Sequence, residues 1–210
     1  MTARALSVDL HGTLLHLREP VVDVYLRIAR RHGVRRDPQA TSDRLASAMR
    51  RHRGPWTADG RAMWRAVVFD ALDSDDEALF EDLYVHYADP ATWAVDTDLR
   101  NIIDWCRQQG WTTMVLSNLD QRAYRLVEDL GLASRFDFLV LAHEAECPKP
   151  QRAIFELAAA RLGGARPLHL GDHPREDIAG ALAAGWAACL YRGAQDLDTV
   201  RQKVGMPSSE

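Results

Sequence analysis

The sequence predicts an α/β fold: a Rossmann-like core with a parallel sheet of about five strands, and an α-helical cap domain inserted after the first strand. Two observations lead to this prediction. Residues 20–89 show only helical periodicity, whereas from residue 93 onward short apolar segments of strand length alternate with helical ones. Strands that alternate with helices are joined by crossover connections and therefore run parallel. The length of 210 residues is suitable for one such core with a sizeable insertion.

The first strand is predicted at residues 5–8, an apolar run that ends at Asp9. Gly12 and Thr13 follow in a turn and terminate the strand. Ligands bind at the carboxyl ends of strands in open parallel sheets, so Asp9 is a candidate site residue. The structural alternative is an Asp that only caps a turn.

Four helices are predicted in the insertion. Each has apolar residues at helical spacing, in segments 21–28, 45–52, 64–71 and 79–87. Breaks fall at Gly33, at residues 53–55 and at the acidic run 73–77. We therefore assign residues 16–92 to a helical cap domain, and residues 1–15 and 93–210 to the core domain.

The remaining strands are predicted at residues 111–116, 138–142, 167–170 and 187–191, and helices at 121–131, 151–162 and 177–184. The last of these helices is rich in Ala and Gly, which allows close packing against the sheet. Polar residues follow several strands. These are Ser117 and Asn118, Lys149 between two prolines, and Gly171-Asp172 with Asp177 five residues later.

Taken together, the motifs Asp9-x-x-Gly12-Thr13, Ser117-Asn118, Lys149-Pro150 and Gly171-Asp172 with Asp177 occur in an order and in local settings that resemble the haloacid dehalogenase (HAD) superfamily. The resemblance covers nearly the whole chain and is to phosphatase-like members with a type-1 helical cap. It implies that Asp9 is the nucleophile, and that Mg²⁺ binds to Asp9, the backbone carbonyl of His11, Asp172 and Asp177.

Each of these roles agrees with the chemistry of the residue. A carboxylate can attack phosphorus and form an aspartyl phosphate, and an oxygen-rich set suits Mg²⁺. Ser117, Asn118 and Thr13 are expected to bind the phosphoryl oxygens of the substrate. Lys149 is expected to stabilise the charge on the phosphoryl group. The structural alternatives are helix-capping or turn roles for the polar residues, and a surface position for the lysine.

His11 departs from the family pattern, in which HAD phosphatases have a second Asp at this position. Imidazole can act as a general acid and base, and its ordinary pKa near 6.5 suits neutral pH. Two interpretations are open: His11 replaces the acid/base Asp, or it only fills space and the reaction is weakened, redirected or lost.

Other HAD reactions fit the sequence less well. Haloacid dehalogenases have Tyr at this position and lack the metal-type Gly-Asp loop, whereas this chain has Gly171-Asp172. Phosphonate hydrolases use a cap lysine, but Lys149 and Lys203 are the only lysines here and neither is in the cap. The expected function is Mg²⁺-dependent hydrolysis of a small phosphate monoester. The alternatives are altered chemistry (biosynthetic or dehalogenase-like) or a non-catalytic regulatory protein that binds phosphate and Mg²⁺.

Composition narrows the expected partners and location. The net charge of -4 gives no basic surface for nucleic acid, and no apolar run reaches membrane-spanning length. Three cysteines without Cys-x-x-Cys spacing suit a reduced compartment. We expect a cytoplasmic monomer or homodimer that acts on a small anionic substrate.

Overall fold

A central parallel sheet organises the computed structural model, which describes residues 4–52 and 60–207. Its strands confirm the predicted fold class. The seven strands in the described residues are β1 (Ala5–Val8), β2 (Leu15–Leu17), β3 (Trp93–Val95), β4 (Thr112–Ser117), β5 (Phe138–Leu141), β6 (Leu168–Gly171) and β7 (Ala187–Leu190). Five of them form the parallel sheet in the order β5-β4-β1-β6-β7, so β1 lies at the centre.

Apolar periodicity predicts most of the α-helices, but it did not predict the last one, because the segment after Arg192 was expected to be weakly ordered. The α-helices are α1 (Val21–Arg31), α2 (Pro38–Arg51), α3 (Arg61–Leu72), α4 (Glu77–His86), α5 (Thr97–Gln108), α6 (Arg122–Asp129), α7 (Arg152–Arg161), α8 (Gly180–Ala183) and α9 (Leu197–Val204). Helices α1–α4 form the predicted insertion. Its predicted break at residues 53–55 lies outside the described residues, and its division from the core at residues 16 and 92 stays a prediction. None of the described helices combines the length and apolar character needed to cross a membrane.

Aspartates begin three of these helices. The carboxylates of Asp37, Asp76 and Asp96 accept hydrogen bonds from the first free N–H groups of α2, α4 and α5. Such caps satisfy donors that have no partner inside the helix, and each typically contributes about 1 kcal/mol.

A short antiparallel ribbon connects the helical insertion to the core, and the sequence did not predict it. Strand β2 pairs with β3, with Leu15 opposite Val95 and Leu17 opposite Trp93. Three-residue strands are too short to show an alternating pattern, so only the paired structure reveals them. The two segments in which the chain passes between the insertion and the core therefore lie side by side.

Apolar side chains cover both faces of the sheet. Every residue of β1 is buried, as expected for a central parallel strand. Ile102 and Ile103 of α5 belong to the cluster on one face, and Ile154 and Phe155 of α7 belong to another. A separate cluster, which includes Phe80, forms the interior of the helical insertion.

The segment after β6 differs from the prediction of an α-helix that begins at Asp177. Residues Pro174–Ala179 form a π-helical turn before α8, and Asp177 is its fourth residue. The turn begins early because Pro174 suits a first helical position and the His173 ring accepts a hydrogen bond from the Glu176 N–H. Wide turns of this kind are frequent at functional sites.

Replacement of Gly180 by alanine tests the close packing of α8. A Cβ at this position would lie 2.8 Å from the Phe155 ring and 3.0 Å from Pro150. Although alanine favours a helix by about 1 kcal/mol over glycine, we expect this clash to lower the free energy of unfolding by about 1–3 kcal/mol. Urea denaturation measures the change. Leu182→Ala in the same helix is the control, since Leu182 is exposed, and equal effects of the two changes would contradict the prediction.

Candidate active site

A buried lysine joins two carboxylates at the carboxyl ends of the central strands. The Lys149 Nζ atom lies 2.7 Å from Asp9 Oδ1 and 2.6 Å from Asp177 Oδ1. It also donates to the carbonyl of Leu116 over 2.8 Å. An ammonium group has three hydrogens, and all three have partners here. Lys149 is 2% exposed, so the surface position considered as its alternative does not occur.

A second buried chain of contacts extends from Asp177 back to β1. The Nε2 atom of His169 lies 3.1 Å from Asp177 Oδ1, and its Nδ1 lies 2.9 Å from the hydroxyl of Ser7. Sequence reasoning missed both His169 and Ser7. Each is a polar residue within an otherwise apolar buried strand. This pattern could have revealed them, because a buried polar side chain requires a hydrogen-bond partner.

The buried charged residues of the site affect one another's pKa values. Burial raises the pKa of Asp9 above its ordinary value, although Lys149 opposes the shift. Burial would also raise the pKa of Asp177, but Lys149 and His169 hold that pKa well below its usual range. Burial would lower the pKa of Lys149, yet the two carboxylates raise it.

Burial lowers the pKa of His169 below the ordinary value of 6.5, which favours the neutral imidazole, although Asp177 opposes the shift. The hydrogen-bond network then assigns the tautomer: Nε2–H donates to Asp177 and Nδ1 accepts from Ser7. His169 thus orients Asp177 without adding a charge.

Asp172 is the third carboxylate residue of the site, beside Asp9 and Asp177. Its backbone carbonyl accepts a hydrogen bond from Arg192 Nε at 2.9 Å, and its side chain accepts from the Thr13 hydroxyl at 3.4 Å. Thr13 is fully buried. The prediction that Thr13 binds substrate therefore needs correction, since its hydroxyl is engaged with Asp172 beneath the site.

Two glycines allow the carboxylates to approach the backbone. A Cβ on Gly12 would lie 2.7 Å from Asp172 Oδ2, and Gly12 has a φ of +87°. A Cβ on Gly171 would lie 2.2 Å from the carboxyl carbon of Asp177. A side chain at either position would displace a carboxylate, which explains why glycine occupies both.

Asp9, Asp172 and Asp177 form a set that fits a divalent cation. Each offers an oxygen, and these oxygens lie within 4.8 Å of one another. The single Lys149 ammonium can compensate only one of these three carboxylates when all of them are ionised. Such a site favours a divalent cation, and a donor set made only of oxygen suits Mg²⁺.

Asn118 supports Lys149 rather than pointing a free amide at a ligand. Its Oδ1 accepts from the Lys149 N–H at 2.7 Å, and its Nδ2 donates to the Lys149 carbonyl at 3.2 Å. The same Nδ2 lies 3.0 Å from a carboxylate oxygen of Glu176. The Asn118 side chain therefore positions Lys149, and the expected contact of Asn118 with a phosphoryl oxygen stays a prediction. Ser117 is buried and lines the cavity described next.

A cavity of about 380 Å³ lies above these groups. It brings together most of the predicted site residues, namely Asp9, His11, Ser117, Asn118, Lys149, Asp172 and Asp177. The opposite wall of the cavity comes from α2, the residue that follows it, and α3. It consists of Met49, His52, Met63 and Trp64. The site therefore lies between the sheet and the helical insertion.

His11 lies at the border between this cavity and a second, apolar one, and it lines both. Its ring makes an edge-to-face contact with Trp93 of the ribbon, with the ring centres 5.4 Å apart. The protein atoms around the ring lower the pKa of His11, while Asp9 and Asp172 oppose that shift. By surface area the residue is exposed, so water can reach the ring.

His173 caps the π-helical turn and is not part of the carboxylate set. The insertion also has three pairs of consecutive arginines, Arg30-Arg31, Arg35-Arg36 and Arg50-Arg51, and none of these residues lines either cavity.

The sequence profile of haloacid dehalogenase-like hydrolases matches residues 3–185. The chain belongs to this family. A human relative, haloacid dehalogenase-like hydrolase domain-containing protein 3, is 32% identical over 94% of this chain and 85% of its own length. The family assignment makes the protein a hydrolase, and it confirms the resemblance seen in the motifs.

Solved structures of HAD proteins share the fold. YfnB from Bacillus subtilis, described as a HAD-hydrolase bound to magnesium with interdomain movement, superposes with a TM-score of 0.79 at 14% identity, covering 98% of this chain and 100% of its own. A HAD phosphatase from Thermococcus onnurineus gives 0.69 at 21% identity over 98% and 100%. A 2-haloacid dehalogenase from Pseudomonas syringae gives 0.67 at 21% identity over 97% and 98%. The fold is therefore common to members with different reactions.

Replacement of Lys149 by methionine should destabilise the metal-free protein. Removal of the shared cation leaves Asp9 and Asp177 buried without compensation, which typically costs about 3–5 kcal/mol. Mg²⁺ bound at these carboxylates would supply positive charge in place of the lysine, so we expect it to raise the melting temperature of Lys149→Met more than that of the wild type.

Melting curves with Mg²⁺ and with a chelator measure both effects. The control is Lys203→Met, which removes the other lysine of the chain at an exposed position. Adding Asp177→Asn to Lys149→Met should restore part of the lost stability. Equal melting temperatures for Lys149→Met and Lys203→Met would contradict the interpretation.

Proposed function

We propose that this hydrolase cleaves a small phosphate monoester in a Mg²⁺-dependent reaction that proceeds through an aspartyl phosphate on Asp9. The observation that carries the proposal is the position of Asp9. It lies at the end of the central strand, beside the Lys149 ammonium and two further carboxylates, at the base of a cavity of about 380 Å³.

The carboxylate set supports a metal requirement. Asp9, Asp172 and the backbone carbonyl of His11 would bind Mg²⁺, and Asp177 would support it. When bound, the ion would offset negative charge on the phosphoryl oxygens and the nucleophile. The magnesium-bound Bacillus subtilis relative supports this proposal through the shared fold.

The protein residues supply the nucleophile and the proton transfers. A carboxylate oxygen of Asp9 attacks phosphorus, and the bond to the ester oxygen breaks with its electron pair on that oxygen. His11, as the imidazolium, donates a proton to this leaving oxygen. Neutral His11 then takes a proton from water while the water oxygen attacks phosphorus. The bond between phosphorus and Asp9 breaks, which releases inorganic phosphate and restores both residues.

Lys149 and Ser117 position the charged group during these steps. Lys149 orients the Asp9 carboxylate through its contact with Oδ1 and brings positive charge close to the incoming phosphoryl group. Residues 16–92 would act as the cap that closes over the site and excludes water. The uncompensated carboxylates alone would repel an anion, so we propose that a small anionic substrate binds after the metal.

Substitution of Asp9 by asparagine tests the nucleophile. Asparagine is nearly isosteric but cannot form the aspartyl phosphate, so kcat should fall at least about 10³-fold. The measurement is phosphate release from p-nitrophenyl phosphate, with Mg²⁺ and after chelation. Asp198→Asn, at a side chain that is 90% exposed, is the matched control and should retain full activity.

Other outcomes of that assay would overturn the proposal. Phosphate release that persists in Asp9→Asn, or after chelation, would exclude the proposed mechanism. If no phosphate ester is hydrolysed but chloride is released from 2-chloropropionate, the reaction is dehalogenase-like instead.

Substitutions at His11 test its acid/base role. His11→Gln should lower kcat for an alkyl phosphate by about 10²–10⁴-fold, because glutamine cannot transfer the proton. The loss should be smaller for p-nitrophenyl phosphate, whose leaving oxygen needs less protonation. His11→Asp should retain activity, since a carboxyl group can perform the same transfers.

Kinetics with both esters distinguish the two interpretations of His11. His16→Gln is the control, since it changes a nearby imidazole that does not line either cavity. If His11→Gln matches the wild type while His11→Asp is far more active, His11 only fills space and weakens the reaction.

A further inference from the structure

The second cavity lies between the helical insertion and the core, and the proposed reaction leaves it without a role. Its volume is about 230 Å³, larger than the engineered cavity of about 150 Å³ that binds benzene. The lining is mostly aromatic and aliphatic, with residues from α1, α3 and α4 on one side and from the ribbon and α6 on the other. Among them are Tyr25, Val68, Phe80, Leu83, Trp93 and Leu126.

This apolar cavity adjoins the cavity that holds the nucleophile. His11, Met49, Trp64 and Leu119 line both. A substrate with its phosphoryl group at Asp9 therefore has its leaving group next to the apolar cavity. The residue between the two spaces is His11, the proposed proton donor to the leaving oxygen.

The charged residues at the edge of the apolar cavity are already paired. Arg122 Nε lies 2.9 Å from Asp120 Oδ1, and Arg122 Nη1 donates to the Tyr84 carbonyl over 2.8 Å. The guanidinium also lies 3.7 Å from the centre of the Tyr84 ring. A second phosphate or a carboxylate on the leaving group would thus compete with existing partners, and sugar hydroxyls would be buried against hydrocarbon.

Trp64 and Tyr87 of the lining do not present their polar atoms to the cavity. The Trp64 Nε1 and the Tyr87 hydroxyl are buried, and within the described residues neither has a hydrogen-bond partner. Because neither atom is accessible from the cavity, these two residues offer a ligand their ring surfaces and no hydrogen-bond donor.

We propose that the apolar cavity binds the leaving group of the substrate, and that this group is an aryl or cycloalkyl alcohol. This inference rests on the proposed phosphatase function. It assigns the substrate to apolar phosphate monoesters.

A panel of primary alkyl phosphates tests the inference, because leaving groups of similar basicity isolate the effect of binding. The esters are 2-phenylethyl phosphate, its 4-methoxy derivative and glucose 6-phosphate. We expect kcat/KM to be at least about tenfold higher for the two apolar esters than for glucose 6-phosphate. Equal or higher kcat/KM for glucose 6-phosphate would overturn the inference.

Direct binding of the product alcohol separates this inference from the phosphatase proposal. We expect 2-(4-methoxyphenyl)ethanol, but not glucose, to raise the melting temperature of the wild-type protein. Turnover of all esters without preference, and without alcohol binding, would support the phosphatase and overturn the apolar subsite. Alcohol binding without turnover of any ester would support the subsite and overturn the phosphatase.

Discussion

The site depends on one buried contact, the Lys149 ammonium between the carboxylates of Asp9 and Asp177. Each of the three residues comes from a different part of the chain: the end of β1, the loop before α7 and the π-helical turn after β6. Two ionised carboxylates need a compensating cation when they share a buried place. Further hydrogen bonds hold the Lys149 ammonium and its two carboxylate partners in place. They include the bond between Asn118 and the Lys149 backbone and the bond between His169 and Asp177.

The two cavities differ in the chemistry of the residues that line them. The cavity above β1 has carboxylates, a lysine and polar backbone, whereas the one beneath α3 and α4 is lined by hydrocarbon and aromatic rings. His11 stands between them, held against Trp93 of the ribbon. This arrangement would suit the two halves of the proposed apolar phosphate ester, with His11, the proposed proton donor, at the bond that would break.

Membership in the haloacid dehalogenase-like hydrolases gives the class of reaction but not the substrate. The same fold is found in a phosphatase and in a dehalogenase, so the side chains in the two cavities must distinguish the reactions. Here the features that set the two cavities apart are His11, two residues after Asp9, and an apolar second cavity whose charged rim residues, Asp120 and Arg122, are paired with each other.

Local patterns in the sequence were enough to predict the parallel sheet, the four inserted helices and the strand-end positions of Asp9, Ser117 and Asp172. Hydrophobic periodicity and turn residues act over a few positions, so they can be read without a structure. Contacts between distant segments cannot be predicted from such local patterns. The β2–β3 ribbon, the link from Ser7 through His169 to Asp177, the engagement of Thr13 with Asp172 and the apolar cavity all join residues far apart in the chain. Only tertiary packing decided them, because burial and pairing of a polar group depend on which neighbours the fold brings to it.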